Sequence, residues 1–373
     1  MKVLTVVGTR PEIIRLSRVI DRLDRTVDHV LVHTGQNYDH NLNQIFFDDL
    51  GLRAPDHYLD VDTTSLGTVL GGTLIGTEQV ITEETPDAVL VLGDTNSSIA
   101  ALMAKRMGVP VYHMEAGNRC FDENVPEETN RRLVDHVADF NLAYTEHARR
   151  NLLAEGLHPR RVLVTGSPMR EVLEHFRPQI DESEAVQRLG LTPQAYFLVS
   201  AHREENVDAP ARLTALLECL DAVHSRWGLP VVVSTHPRTR KRLVSMGVDH
   251  AGAAVRFMEP FGFHDYNKLQ VEAACVLSDS GTIAEESSIL GFPAITLRDS
   301  IERPEALDAG TILMTGLAKD DVEAAVASVM ADRDHLRTRS VPVGYEVTDT
   351  STRTVRFIMS TAGRHHQWAG IRR

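Results

Sequence analysis

The amino-acid sequence predicts an α/β fold with two Rossmann-like domains. Three observations support this prediction: the length, the alternation of short apolar runs with longer amphipathic stretches, and the restart of that alternation near the middle of the chain. A single hydrophobic core rarely grows beyond about 250–300 residues, whereas the chain has 373. Near-continuous apolar strands separated by helices are typical of a parallel sheet that is covered on both faces.

The first half of the chain contains six candidate strands, each a short run rich in β-branched and other apolar residues. They span 3–7, 29–33, 88–92, 109–113, 141–144 and 162–164. Helical periodicity occupies the intervals, at 12–23, 42–50, 65–84, 96–106, 128–136 and 147–155. This order predicts a first Rossmann-like domain over residues 1–167.

The same alternation begins again after Gly166-Ser167-Pro168, where proline disfavours helix in the residue before it. Candidate strands span 197–200, 231–234, 255–257, 275–278 and 294–297, and candidate helices span 211–226, 238–245, 265–273, 284–290 and 320–330. We therefore predict a second domain over 168–345. A last periodic stretch predicts a helix at about 350–363 that packs back on the first domain, followed by a frayed tail over 364–373.

Composition excludes several classes of function. The formal net charge of −13 disfavours a partner that is a nucleic acid or an anionic membrane, because both need a basic face. Three scattered cysteines and the absence of H-E-x-x-H predict neither a disulfide framework nor a metal site. No apolar run reaches the roughly 18 residues of a membrane span, so we expect a cytoplasmic protein.

Carboxylates follow the strand candidates of the first half at the points where strands end. Ligands of parallel α/β sheets bind beyond the carboxyl ends of the strands, so we expect these side chains to line a cleft between the two domains. The candidates for acid–base chemistry are Asp94, Glu115 and Glu127. The alternative is structural, since aspartate commonly caps a helix and glutamate commonly pairs with a helix dipole.

The turn after the first strand contains Gly8, Thr9 and Arg10, and Arg15 follows in the first helix. The glycine permits a tight turn, while the helix N-terminus and the two arginines provide positive charge for an anion. The alternative is a tight turn with solvated arginines. Neither G-x-G-x-x-G nor the P-loop pattern occurs, so we expect no nicotinamide cofactor.

Two strand ends of the second half each carry a histidine and an arginine. His202 is followed by Arg203, and His236 lies two residues before Arg238. This combination suits a diphosphate, although solvated loop residues are an equal alternative.

The turn Ser278-Asp279-Ser280-Gly281-Thr282 is the most specific feature of the second half. Small residues at a strand-to-helix turn let backbone amides and hydroxyls approach phosphate, here at Ser280 and Gly281. Glu286, one turn into the helix, can accept hydrogen bonds from the two hydroxyls of a ribose, and Arg303 closes the next strand end. An Asp or Ser helix cap would have a similar pattern.

Eight stretches, in this order, resemble the non-hydrolysing UDP-N-acetylglucosamine 2-epimerase family: VVGTRPEIIR, VLGDTNS, HMEAGNR, PEETNR, SAHREEN, THPR, SDSGTIAEES and ERPEA. The runs HTGQNYD, GNRCFDENVPEE, SAHREENVD and PFGFHDYNKLQ most resemble the branch that makes UDP-N-acetyl-L-fucosamine from UDP-2-acetamido-2,6-dideoxy-L-talose. The resemblance implies the two-domain architecture of GT-B glycosyltransferases, a homodimer, a UDP-sugar substrate and no cofactor.

The resemblance also implies residue roles. Asp94, Glu115 and Glu127 match the family's active-site acids, and His202 matches its catalytic histidine. The matches to its UDP-sugar contacts are Arg10 at the phosphates, Ser280 and Gly281 in the UDP turn, and Glu286 at the ribose. We add Arg15, His236, Arg238 and Arg303 as candidate contacts to the UDP-sugar.

The chain departs from the family pattern at several positions. Arg15 replaces a lysine, Glu204 a second arginine and Thr282 a glycine. The segment Gln36-Asn37-Tyr38 replaces a Gln-His pair that many bacterial members use to hold a second, activating UDP-sugar. This replacement argues against allosteric activation.

These residues suit inversion of C2 by elimination of UDP to a glycal, followed by re-addition. Two other enzymes have related requirements: a UDP-sugar-dependent glycosyltransferase, which needs an acceptor, and a hydrolysing 2-epimerase, which releases free UDP. A non-catalytic UDP-sugar sensor would not need several acids together with a histidine.

Overall fold

The computed structural model describes residues 1–35, 47–247, 254–336 and 340–371. They form two compact units: unit 1 comprises Met1–His175 and Val343–Arg373, and unit 2 comprises Phe176–Pro342. Each unit is a parallel sheet with helices on its faces, as the periodicity predicts. The segment Gln36-Asn37-Tyr38 and residues 42–46 of the predicted helix at 42–50 lie outside the described residues.

Unit 1 contains a seven-stranded sheet in the order β3-β2-β1-β4-β5-β6-β7, with every neighbouring pair parallel. The strands are β1 Lys2–Val7, β2 Asp28–His33, β3 His57–Tyr58, β4 Ala88–Leu92, β5 Val111–Met114, β6 Phe140–Ala143 and β7 Val162–Val164. All six predicted strands are present, and the unpredicted β3 is a two-residue edge strand. Apolar residues on both sheet faces are buried, which explains the near-continuous apolar runs.

Helices of unit 1 connect these strands and cover the sheet. They are α1 Arg10–Thr26, α2 Leu66–Glu84, α3 Ala100–Arg106, α4 Pro126–Val137, α5 Glu146–Ala154 and α6 Met169–His175. The division between the units falls after α6, beyond the turn at 166–168. The reason is packing: α6 contacts α1, and its residues Met169, Val172 and Leu173 are buried.

The C-terminal segment belongs to unit 1. It contains α17 Thr350–Thr361, which packs on α1, and α18 His365–Ala369. The prediction of a frayed tail over 364–373 is wrong for α18. The His365 ring is buried there, and its Nε2 lies 3.1 Å from Asp139 Oδ1. This contact holds the short helix against the start of β6.

Unit 2 contains a six-stranded parallel sheet in the order β10-β9-β8-β11-β12-β13. The strands are β8 Phe197–Ser200, β9 Val231–Ser234, β10 Val255–Met258, β11 Cys275–Ser278, β12 Ala294–Thr296 and β13 Leu313–Met314. The longer helices are α10 Pro210–Trp227, α11 Pro237–Ser245, α12 Phe263–Glu272, α13 Ile283–Leu290 and α15 Lys319–Ala331. The shorter ones are α7 Arg177–Glu182, α8 Ala185–Arg188, α9 Glu204–Val207, α14 Pro304–Asp308 and α16 Arg333–Leu336.

The strand order of each sheet reverses once, between β1 and β4 in unit 1 and between β8 and β11 in unit 2. At such a switch point the connections leave in opposite directions, which opens a crevice beyond the carboxyl ends of the two strands. Four of the polar clusters predicted from the sequence follow these strands, those that contain Arg10, Asp94, His202 and Ser280. Among the described residues, no helix combines the length and apolar character that crossing a bilayer requires.

We predict that the helix α17 contributes to the stability of unit 1. Replacing Ile358, which is 0% exposed, with alanine should lower the free energy of unfolding by about 2–5 kcal/mol, because a buried branched side chain is lost. Unfolding in urea is followed by the fluorescence of Trp368 in a Trp227→Phe background, so that only unit 1 reports.

The adjacent Met359, 45% exposed, is the control, and Met359→Ala should change the same free energy by less than about 0.5 kcal/mol. Equal effects at the two positions would contradict the packing of this helix.

Candidate active site

The first turn of unit 1 is held by a buried glutamate. Glu12, in the first turn of α1, accepts hydrogen bonds at Oε2 from Gly8 N (3.0 Å) and Thr9 Oγ1 (2.7 Å). Its Oε1 accepts a hydrogen bond from Ser97 Oγ, in the turn after β4. Burial raises the pKa of this carboxyl above its ordinary value. Glu12 therefore ties the turn that carries Arg10, itself half-buried, to the turn after β4.

Asp94 follows β4 in the second of these turns. Its Oδ2 accepts two hydrogen bonds from the Arg131 guanidinium, one from Nε at 3.0 Å and one from Nη2. Its backbone carbonyl accepts from Asn130 Nδ2 at 2.9 Å. Arg131 is almost fully buried, whereas the Asp94 side chain is 26% exposed. The carboxylate is thus fixed by a buried guanidinium and remains accessible to solvent at the end of β4.

Glu115 follows β5, the neighbour of β4, and has a left-handed backbone with φ of 65°. This conformation is uncommon for a residue with a side chain and costs of order 1–3 kcal/mol. Its Oε2 accepts from Arg15 Nη1, and its Oε1 accepts from Asn118 Nδ2 at 3.3 Å. A Cβ atom built on Gly93 would lie 3.5 Å from Glu115 Oε2. The Glu115 carboxylate therefore lies over the turn that carries Asp94.

Glu127 is half-buried in the first turn of α4. It precedes Arg131 by four residues, so both side chains lie on the same face of the helix, the face that contacts Asp94. The next residue, Glu128, is buried, and its Oε2 accepts from Arg131 Nη1 at 2.8 Å. The structure thus places Asp94 and Glu127 at one segment of α4, and Glu115 at the end of the neighbouring strand.

In unit 2 a buried aspartate organises the turn after β8. Asp279 is 0% exposed and accepts from the backbone N of His202 at 3.0 and 3.1 Å and of Arg203 at 3.0 Å. It also accepts from Asn206 Nδ2 at 3.1 Å. The His202 Nδ1 atom lies 3.4 Å from Asp279 Oδ1, and the imidazole is 39% exposed. The aspartate therefore presents this ring at the strand end.

The turn after β11 needs its glycine. A Cβ atom on Gly281 would lie 2.9 Å from Glu302 Oε1, which itself accepts from Arg203 Nη2 at 3.1 Å. Ser280 Oγ lies 3.0 Å from Thr282 Oγ1. This places hydroxyls and backbone amides together just before α13, a combination that suits an anion.

Glu286 lies on α13 and is 8% exposed. Its Oε2 accepts a hydrogen bond from Gln270 Nε2 on α12 at 2.6 Å. Burial and the nearby Glu286 carboxylate raise the pKa of the Tyr266 phenol, which lies on α12 like Gln270. The Glu286 carboxylate is thus held in one orientation.

Four residues that were predicted to contact the UDP-sugar have partners within their own units. Arg15 donates to Glu115. Arg238 donates to Asp208, from Nε at 3.2 Å and from Nη2 at 2.9 Å. His236 caps α11, and its ring centroid lies 5.9 Å from that of His202.

Arg303 is the remaining one of these four residues, and its side chain is 2% exposed. Its Nη1 lies 3.1 Å from Glu285 Oε2, one residue before Glu286. Sequence reasoning nominated neither Arg131 nor Asp279 as a site residue, although both lie in the runs PEETNR and SDSGTIAEES. Only their burial and their partners distinguish them.

Known proteins of similar sequence indicate the family of the chain. The family model described as UDP-N-acetylglucosamine 2-epimerase matches residues 21–359. The chain is similar to UDP-2,3-diacetamido-2,3-dideoxy-D-glucuronate 2-epimerase of Pseudomonas aeruginosa, with 37% identity over 336 residues, 88% of this chain and 92% of that protein.

Solved structures agree as well. That of UDP-N-acetylglucosamine 2-epimerase from Rickettsia bellii is 44% identical, with a TM-score of 0.91 and 98% of each chain covered. That of Methanocaldococcus jannaschii UDP-GlcNAc 2-epimerase in complex with UDP-GlcNAc and UDP is 35% identical, with a TM-score of 0.91, 96% of this chain and 100% of that chain covered. A spinosyn rhamnosyltransferase, at 12% identity and a TM-score of 0.54, shares the fold alone.

We predict that Glu12 makes unit 1 less stable as the pH rises. A carboxyl whose pKa is raised on folding holds its proton more tightly in the folded state, so its contribution to the free energy of unfolding falls as the pH passes the unfolded-state pKa. The ordinary value is 4.5. The difference in unfolding free energy between the wild type and Glu12→Gln should therefore fall as the pH rises above that ordinary value.

The free energy of unfolding of both proteins is measured in urea by Trp368 fluorescence, in the Trp227→Phe background. Subtracting one free energy from the other removes the contributions of the other titrating groups. A difference that grows with pH would contradict the assignment.

Proposed function

The chain belongs to the UDP-N-acetylglucosamine 2-epimerase family, and we propose that it inverts C2 of a UDP-linked 2-acetamido sugar without hydrolysis. The observation that carries the proposal is the pair of carboxylates in unit 1. Asp94 and Glu115 follow adjacent parallel strands, and each accepts a hydrogen bond from a buried guanidinium. A glycosyltransferase has no need for this pair beside one sugar carbon.

The chemistry explains why acids alone are not sufficient. The C2 proton of a 2-acetamido sugar has no carbonyl on the neighbouring ring carbon, so a carboxylate cannot remove it directly. If the bond between C1 and the phosphate oxygen breaks first, UDP leaves with the electron pair and positive charge develops at C1. That charge acidifies the C2 proton and is itself stabilised by nearby carboxylates.

The elimination that follows needs no oxidant or reductant. A carboxylate takes the C2 proton, the C–H electron pair forms the C1–C2 double bond of a glycal, and UDP remains bound. Returning a proton to the opposite face of C2 and UDP to C1 completes the inversion. Asp94, Glu115 and Glu127 are our candidates for the two proton transfers.

Unit 2 holds the groups that suit the leaving UDP. Ser280 and Gly281 provide small side chains and amides for the phosphates, and Glu286 is oriented by Gln270 to accept from a ribose. His202 is presented by Asp279 at the adjacent strand end and can donate to a phosphate oxygen. Arg10 provides a further positive charge in unit 1.

The substrate class follows from the relatives. One was solved with UDP-GlcNAc and UDP, and another is named for a UDP-linked diacetamido uronate, so the shared feature is a UDP-linked 2-acetamido sugar. Within this class we propose UDP-GlcNAc with UDP-ManNAc, or the 6-deoxy-L-talo and L-fuco pair that the sequence resemblance favours. A cytoplasmic location stays a prediction from the sequence.

We also propose that the protein is a homodimer formed through α2. From Leu66 to Thr77 this helix has no charged residue and contains only aliphatic residues, glycine and threonine. Exposed apolar patches mark interaction sites, and here Leu66 is 65% and Ile75 58% exposed. A second copy of the chain, packed about a two-fold axis, would cover this face.

The activity is tested by proton NMR in D₂O. Purified protein is incubated with UDP-GlcNAc and, separately, with the 6-deoxy-L-talo UDP-sugar, and no acceptor is added. We expect deuterium at C2 and the appearance of the second epimer, with the faster substrate identifying the branch. Asp94→Asn and Glu115→Gln should each lower the rate by about 100-fold or more, because proton transfer loses its base.

Asp181→Asn is the control for these variants, since Asp181 pairs with Arg177 at an exposed position of α7, and its rate should stay close to the wild type. Binding of UDP without exchange at C2 in either sugar would contradict the epimerase. Stoichiometric release of free UDP would instead indicate a hydrolysing enzyme.

The dimer is tested by sedimentation velocity. Ile75→Glu should convert the wild-type dimer to a monomer, because a charge would be buried in the apolar interface. Met359→Glu, at an exposed position of α17, should leave the dimer intact. A monomeric wild type, or a dimer unaffected by Ile75→Glu, would contradict the proposed interface.

A further inference from the structure

Four ionisable side chains form a chain of hydrogen bonds beside the turns that carry Asp94 and Glu115. His113 Nδ1 lies 2.9 Å from Asp135 Oδ1. Asp135 Oδ2 accepts from Arg119 Nη1 at 2.7 Å, and Arg119 donates from Nε and Nη2 to Glu155, each at 2.7 Å. The side chains of His113, Asp135 and Arg119 are all 0% exposed. No step of the proposed reaction uses them.

This chain contacts both turns that carry the proposed catalytic acids. His113 Nε2 lies 2.8 Å from the carbonyl of Gly93, the residue before Asp94. Asp135 accepts from the backbone N of Gly117, at 3.2 and 3.1 Å, two residues after Glu115. One aspartate on α4 thus fixes the turn after β5 directly and the turn after β4 through a histidine.

The contacts of His113 fix the orientation of its ring. Its two ring nitrogens face the carbonyl of Gly93 and the carboxylate of Asp135. Asp135 in turn accepts hydrogen bonds from Arg119 and from the amide of Gly117. The ring therefore connects the turn after β4 to an aspartate that is itself held by two other groups.

The left-handed turn at Glu115 needs such a support. Glu115 has a φ of 65° and Gly117 a φ of 86°, and a Cβ atom on Gly117 would lie 2.3 Å from the carbonyl oxygen of Ala148. Strained backbone persists only where its surroundings hold it. Asp135 binds the amide of Gly117 at the end of this turn, and so it opposes relaxation of Glu115 toward an ordinary conformation.

We propose that Asp135, with His113 and Arg119, forms a positioning group that holds Asp94 and Glu115 in register for C2 chemistry. The role rests on the proposed function, because it concerns the acids of that reaction. The group acts through backbone contacts, so its loss changes proton transfer without changing the residues of unit 2 that suit UDP.

The first test compares Asp135→Asn with a matched variant, Asp139→Asn. Asp139 is also a buried carboxylate; it contacts Lys105, His365 and the backbone N of Val111, beyond the opposite end of the sheet. For Asp135→Asn we expect kcat to fall about 100-fold because small displacements of reacting groups have effects of this size. KM for the UDP-sugar should change less than about threefold.

Asp139→Asn should lower the thermal midpoint to a similar extent but keep kcat close to the wild type. Equal losses of kcat in the two variants, or an unchanged kcat in Asp135→Asn, would overturn the proposal. If Asp135→Asn does not fold, His113→Gln replaces it, since an amide can still donate to the carbonyl of Gly93 but lacks the ring nitrogen that faces Asp135. We expect its kcat to fall about tenfold or more.

The second test does not depend on turnover. In ¹⁵N-labelled protein, assigned by comparison with His113→Gln, Asp135→Asn should shift the signals of the His113 ring nitrogens, whereas Asp139→Asn should leave them unchanged. An active wild type whose His113 signals are the same in both variants overturns the positioning group alone, whereas an inactive wild type overturns the proposed function and the positioning role together.

Discussion

The left-handed backbone of Glu115 is the constraint on which the site of unit 1 depends. A strand of a parallel sheet ends with its side chains directed to alternate faces, so a residue in ordinary extended conformation could not turn its carboxylate back over the neighbouring strand. The positive φ at Glu115 does this, and Gly93 leaves room for the carboxylate beside the turn of Asp94. The acids that follow β4 and β5 thereby lie close together, beside the switch point between β1 and β4.

Buried arginines and aspartates maintain that arrangement in an acidic chain. In unit 1 two of the three acids are paired with a guanidinium, Glu115 with Arg15 and Asp94 with Arg131. In unit 2 a single carboxylate, Asp279, binds the backbone of the turn that presents His202. Both units therefore use the same device: a fully buried ionic group accepts or donates several hydrogen bonds, so that a neighbouring exposed group is held in one orientation.

Periodicity and turn chemistry predicted the fold class, the eleven longer strands and the turns that carry Asp94, Glu115 and Ser280. They could not predict tertiary partners. Nothing in the pattern of the run PEETNR indicates that its arginine contacts Asp94, and nothing in the tail of the chain indicates that His365 contacts Asp139. Such pairs depend on which elements pack together, whereas strands and turns depend on neighbouring residues.

The central claim is that UDP leaves C1 while the proton at C2 moves. The measurement that tests it most directly is positional isotope exchange in the reacting UDP-sugar, labelled with ¹⁸O between C1 and the β-phosphorus. We expect the label to migrate to the non-bridging oxygens of that phosphate during epimerisation, because the bond breaks and the phosphate rotates before UDP returns. Epimerisation at C2 with the label retained in the bridge would contradict the account.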